Sequence, residues 1–108
     1  MTRLNYTTTI LLAALATTFS FSAHADQALA NAKGCLACHE LKTKKIGPAY
    51  LDVARKYAGQ KDAATQLVQK VLDGGSGHWG EVAMPANKTL GVTEADAKKL
   101  VTWILSLK

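Results

Sequence analysis

Apolar residues recur at helical spacing in four places along the chain. In the first, from about Asp26 to Lys33, Asp26 stands where a cap would start a helix and Gly34 where a glycine would end it. The second runs from Leu51 to Tyr57, with Leu51, Val53, Ala54 and Tyr57 apolar and Gly59 following. The third, Asp62 to Leu72, is clearer: Ala63, Ala64, Leu67, Val68, Val71 and Leu72 fall on one face, and Gly74 stops the run. The fourth, Thr93 to Lys108, carries Ala97, Leu100, Val101, Ile104 and Leu105, widened by Trp103 and Leu107. Thr93 with Asp96 three positions on forms a capping-box pattern, with Asp in place of the usual Glu. Lys108 is expected at the negative end of that helix's dipole. No stretch alternates apolar and polar residues long enough to make a strand. The pattern predicts an all-α domain of about four short helices, joined by two long irregular segments, 38–50 and 73–91. Loops that long in a small domain are usually functional.

The first 25 residues follow a different pattern. Arg3 is followed by an apolar run from Ile10 to Ala16 flanked by Thr and Ser, then by Ala23-His24-Ala25, with no Asp, Glu or Lys throughout. This is the layout of a secretory signal peptide cleaved after Ala25. An uncleaved anchor is the alternative, but the apolar run falls short of the roughly 18 residues a span needs. The expected organisation is a leader over 1–25 and one working domain over 26–108.

The composition sharpens this. The chain has 108 residues, 48% hydrophobic and 19% charged, which excludes a disordered chain. Its net charge is +5, and removal of the leader takes away only Arg3. Export excludes a nucleic-acid partner for that charge. A domain this small often needs a staple. Its two cysteines are three positions apart, and a bridge closing so short a loop would constrain the unfolded chain little.

Those cysteines lie in Gly34-Cys35-Leu36-Ala37-Cys38-His39, a C-x-x-C-H run that is the attachment signature of a c-type haem. Two thiols one turn apart can each add to a neighbouring vinyl group of the porphyrin, and His39 can turn onto the iron. Two other chemistries share the spacing. A redox dithiol would sit on a strand–helix unit. A zinc site would need four ligands, such as Cys35, Cys38, His39 and His78, and adjacent Cys38 and His39 suit one tetrahedral ion poorly.

A second axial ligand is expected in the second long segment. Met84, flanked by Pro85 in a glycine-rich stretch, is the only methionine beyond the leader, and His78 is the rival. His paired with Met is an electron-transfer ligation. The carbonyl of Pro48, nine residues past His39, is a suitable acceptor for the second ring N–H of a ligating histidine.

These residues resemble a family. The segments KGCLACHELKTKKIGPAYLDVARKYAGQ, GSGHWGEVAMPAN and WILSLK are similar to those of small bacterial class I cytochromes c of the c-551 type. The resemblance covers essentially all of 26–108. It implies a small cytochrome c fold wrapped around one covalently attached haem c. Cys35 and Cys38 would form the thioethers, and His39 and Met84 would be the axial ligands. It further implies that Pro48 orients His39, that Trp79 and Lys70 reach the haem propionates, that Asn87 hydrogen-bonds near the Met84 sulfur, and that Trp103 packs near the haem and the first helix. There are departures. Ala30 stands where relatives often carry a bulky aromatic, so packing there must differ. Glu81, Ala83 and Ala86 replace prolines, so Met84 is expected to yield more readily to strong exogenous ligands.

The function this implies is that of a periplasmic, monomeric one-electron carrier, not an enzyme, without stable membrane insertion after cleavage. Its expected partners are redox proteins. The donor would be a cytochrome complex or another c-type cytochrome, and the acceptor an oxidase, nitrite reductase or peroxidase. Lys33, Lys42, Lys44, Lys45 and Lys88 are expected to ring the haem edge and steer acidic partners.

Overall fold

The computed structural model describes residues 22–108, together with Ala14 and Ala16. Apart from those two alanines, the expected leader up to Phe21 lies outside the described residues. Four helices form: α1 Ser22–Ala32, α2 Tyr50–Tyr57, α3 Ala63–Asp73 and α4 Glu94–Leu105. Short 3-10 turns occur at Cys35–Ala37 and Asn87–Leu90. Among the described residues the sole β pairing is an isolated antiparallel bridge between Gly75 and Met84.

The helices follow the sequence pattern, and the ends differ for local reasons. α1 begins at Ser22, so Asp26 lies inside the helix and does not cap it. The alanine-rich stretch before it has high helix propensity and carries the helix upstream. α3 ends at Gly74, whose φ of 69° and ψ of −151° favour a residue without a Cβ. The capping box of α4 is complete: the Asp96 amide donates to Thr93 Oγ1 and the Thr93 amide to Asp96 Oδ2, both at 3.1 Å. α4 closes at Leu105, where the Ser106 hydroxyl donates to the Trp103 carbonyl at 2.6 Å. Lys108 therefore lies beyond the last turn and not at the dipole end as expected.

α4 packs against each of the other three helices. The core joins Ala30 of α1, Tyr50 and Val53 of α2, Leu67 of α3, and Leu100, Val101, Trp103 and Ile104 of α4. Burying each large aliphatic side chain contributes about 1.5–3 kcal/mol. Ala30 is wholly buried, so its methyl completes the contact between α1 and α4. Val53, Leu67, Val101 and Ile104 also reach the other side of this core, where they line a slot.

Candidate functional site

The slot lies between the segment after the cysteines and the glycine-rich segment after α3. It encloses about 950 Å³, its open mouth included, and its lining is mostly apolar.

One wall carries His39. The Cys35–Ala37 turn is closed by Cys38 and His39 amides donating to the Cys35 carbonyl at 3.2 and 3.0 Å. Lys45 Nζ holds the turn from outside through the Leu36 carbonyl at 3.2 Å. His39 is buried, and its Nδ1 lies 2.8 Å from the Pro48 carbonyl. A carbonyl only accepts, so Nδ1 carries the proton and Nε2 keeps its lone pair. The sequence reading of Pro48 thus corresponds to a real contact.

Two residues that steady His39 were missed from sequence. A Cβ at Gly47 would come within 2.5 Å of His39 Cε1, so only glycine lets the backbone lie against the imidazole. Gly47 is fixed there by its amide, which donates to the Cys38 carbonyl at 2.7 Å. Tyr50 stacks on the imidazole at 4.9 Å with a 14° interplanar angle. It also meets Trp103 edge-on at 5.6 Å, which links His39 to α4. The Gly47-Pro48 pair was the one available signal. The Tyr50 contact depends on how α2 packs.

Cys38 lines the slot, while Cys35 is half-buried against the core and the Tyr50 hydroxyl. Burial pushes the Cys35 thiol above its ordinary value. It also raises the Tyr50 phenol, with Cys35 adding to the effect. A catalytic dithiol needs the opposite, a lowered thiol pKa. No group of three or more His, Cys, Asp and Glu that could hold a metal ion occurs among the described residues.

The opposite wall carries Met84, half-buried and lining the slot. Three ties fix its segment to the end of α3. Gly75 and Met84 exchange backbone hydrogen bonds at 3.0 and 2.9 Å. Asn87, buried, donates its amide nitrogen to the Val71 carbonyl at 2.9 Å. Lys88 pairs with Asp73 at 2.6 Å. Asn87 is not among the residues lining the slot, so the contact seen is with α3. These ties hold a loop whose one proline is Pro85.

The remaining residues stand at the slot's sides and mouth. Lys70 of α3 lines it, with Nζ close to Gly75, and Trp79 and His78 line it from the glycine-rich loop. Trp79 is 40% exposed. The proposed lysine ring is thinner than expected. Lys33 is engaged by Asp96 at 3.2 Å and by the Gly91 carbonyl at 3.0 Å, and Lys88 by Asp73, while exposed Lys42 and Lys44 have no ion pair among the described residues.

The donor set and the slot together fit a flat cofactor attached at one edge and gripped on two faces. Residues 25–108 match the family model described as Cytochrome c. The chain belongs to the cytochrome c family. It is 58% identical over 84 residues to cytochrome c-552 of Hydrogenobacter thermophilus, covering 78% of this chain and 83% of that protein. To cytochrome c-551 of Allochromatium vinosum it is 50% identical over 96 residues, covering 89% of this chain and all of that protein. Among solved structures, wild-type Nitrosomonas europaea cytochrome c552 superposes with a TM-score of 0.72 at 50% identity, covering 76% of this chain and 99% of that one. The fold is the small all-helical cytochrome c fold. As a cytochrome c, the protein binds one covalently attached haem c, with Cys35 and Cys38 in its attachment motif.

Proposed function

We propose that this cytochrome c is a periplasmic one-electron carrier whose haem iron is held between His39 and Met84. The observation that carries the reading is that both residues line one slot, with His39 Nδ1 already bonded to Pro48 and Met84 tied at its own backbone. The haem, when bound, supplies an iron that takes up and returns one electron.

The chain's own residues do the rest. Cys35 and Cys38 anchor the porphyrin edge. Pro48, Gly47 and Tyr50 hold the His39 imidazole in one orientation, and the Gly75 bridge holds Met84. His39 and Met84 would hold the iron from both sides, leaving no open position for a substrate, so the bound haem would supply electron transfer without bond chemistry. Val53, Leu67, Val101 and Ile104 keep water from the slot interior. Lys70 and Trp79, at its sides and mouth, are suited to the haem propionates.

Partner docking uses the slot's mouth. Ile46 and Val82, 57% and 69% exposed, lie there with Trp79 as an apolar contact, while Lys42 and Lys44 supply charge for an acidic redox protein. Export rests on the leader pattern and is supported by the family match starting at residue 25. No helix among the described residues is long and apolar enough to cross a membrane.

The test is spectroscopic. The purified protein should carry a covalent haem. Its oxidised form should show the weak band near the red edge that marks methionine–iron ligation, and Met84→Ala should abolish that band. Its persistence in Met84→Ala would refute the axial pairing. Edman sequencing of the exported protein should begin at Asp26.

A further inference from the structure

Lys56 in the last turn of α2 makes two contacts that the haem site does not account for. Its Nζ lies 4.4 Å from the centroid of the Trp79 ring. The same Nζ donates to the His78 carbonyl at 3.0 Å. Both contacts cross from α2 to the glycine-rich loop that carries the slot's mouth.

That loop has little else to hold its tip. Gly74, Gly75, Gly77 and Gly80 all adopt positive φ, and no proline stiffens the stretch before Pro85. Its internal tie is the Gly77 amide to the Gly80 carbonyl at 2.8 Å. Trp79 is too exposed to be fixed by burial. A cation over an exposed indole is attracted to the ring face, and the hydrogen bond from a charged donor adds to it.

We propose that Lys56 is a positioning residue, a latch that fixes Trp79 and the loop tip across the slot's mouth and keeps a positive charge there. The inference rests on the haem reading. Oxidised haem carries one more positive charge than reduced haem, so a cation held at the mouth favours the reduced state. Lys56 does this from outside the slot, through the ring and carbonyl that it grips.

The experiment compares haem-loaded wild type with Lys56→Met and Lys56→Arg. Met keeps the stem but removes charge and donor, whereas Arg keeps both and stacks well on an indole. In Lys56→Met the Gly77 amide should exchange about two- to fivefold faster. The reduced-to-oxidised ratio at a fixed ambient potential should fall about two- to fourfold. Lys56→Arg should stay close to wild type in both. Unchanged Gly77 exchange in Lys56→Met, an unchanged ratio, or equal losses in Met and Arg would each overturn the latch. Failure of the haem reading is separate, because it would appear as wild-type protein without a covalent haem mass.

Discussion

Gly75 and Met84 pair through both of their backbone groups, N–H to C=O in each direction, at 3.0 and 2.9 Å. The bridge holds the proposed sixth ligand to the end of α3 by main chain alone. Gly74 makes it possible, since a Cβ there would collide with the Met84 carbonyl oxygen. The segment thus depends on glycine at its close approach and on side-chain ties just beyond.

Asn87 is the buried one of those ties. Asn87→Ala leaves the Val71 carbonyl without its donor, which should cost about 1–3 kcal/mol in urea unfolding. The segment behind Met84 then loosens. Imidazole titration of the oxidised protein should show severalfold tighter binding than in wild type. Equal imidazole affinity would mean that Asn87 does not restrain the ligand.

Gly47 tests the seat of the histidine. In Gly47→Ala the new methyl meets His39 Cε1 and Nδ1, so either the ring turns from Pro48 or the backbone retreats. Overpacking of this kind costs about 1–3 kcal/mol. A lowered Tm together with a changed reduction potential is expected. A lowered Tm with an unchanged potential would place the strain elsewhere.

Asp96 gives a pH dependence with a defined sign. The Thr93 amide, the Thr93 hydroxyl and then Lys33 hold its carboxyl below the ordinary carboxylate value. The unfolded chain therefore binds a proton before the folded one does as pH falls. The stabilisation is complete above about pH 4 and is lost as pH drops through the lowered native value. Asp96→Asn should lower Tm at neutral pH, and the gap should close in acid. A gap constant from pH 7 to pH 2 would argue against a role for the ionised carboxylate.

Ala30 tests the first helix. Its methyl is fully buried where α1 meets α4, beside the cluster containing Trp103. Ala30→Phe should destabilise by about 1–3 kcal/mol, because this core has closed around the small residue. A stabilised variant would show that a ring-sized space persists there.

Much of the site was legible because its chemistry is local. Cys35, Cys38 and His39 lie within one turn, so the haem signature is carried by five consecutive residues. Pro48 follows from its distance along the chain and the one bond a ligating histidine must make. The proposal of Met84 rests on its scarcity. The helix patterns were legible too, since each apolar face has to meet the core. Their ends were less so: Asp26 and Lys108 depend on whether neighbouring residues continue the helix or close it.

The sequence by itself determined the cofactor, the attachment points and an all-helical domain, because these follow from residue type and short-range spacing. Only the tertiary structure decided what holds the two proposed ligands. Tyr50 reaches His39 because α2 packs on α4. Gly75 reaches Met84, and Asn87 reaches Val71, because the chain returns to the end of α3. Lys56 reaches Trp79 across the slot for the same reason. Lys33 and Lys88 also found acidic partners there, which leaves Lys42, Lys44 and Lys45 of the proposed ring without an ion pair among the described residues. Such contacts join residues far apart in the chain, and periodicity carries no information about which distant residues will meet.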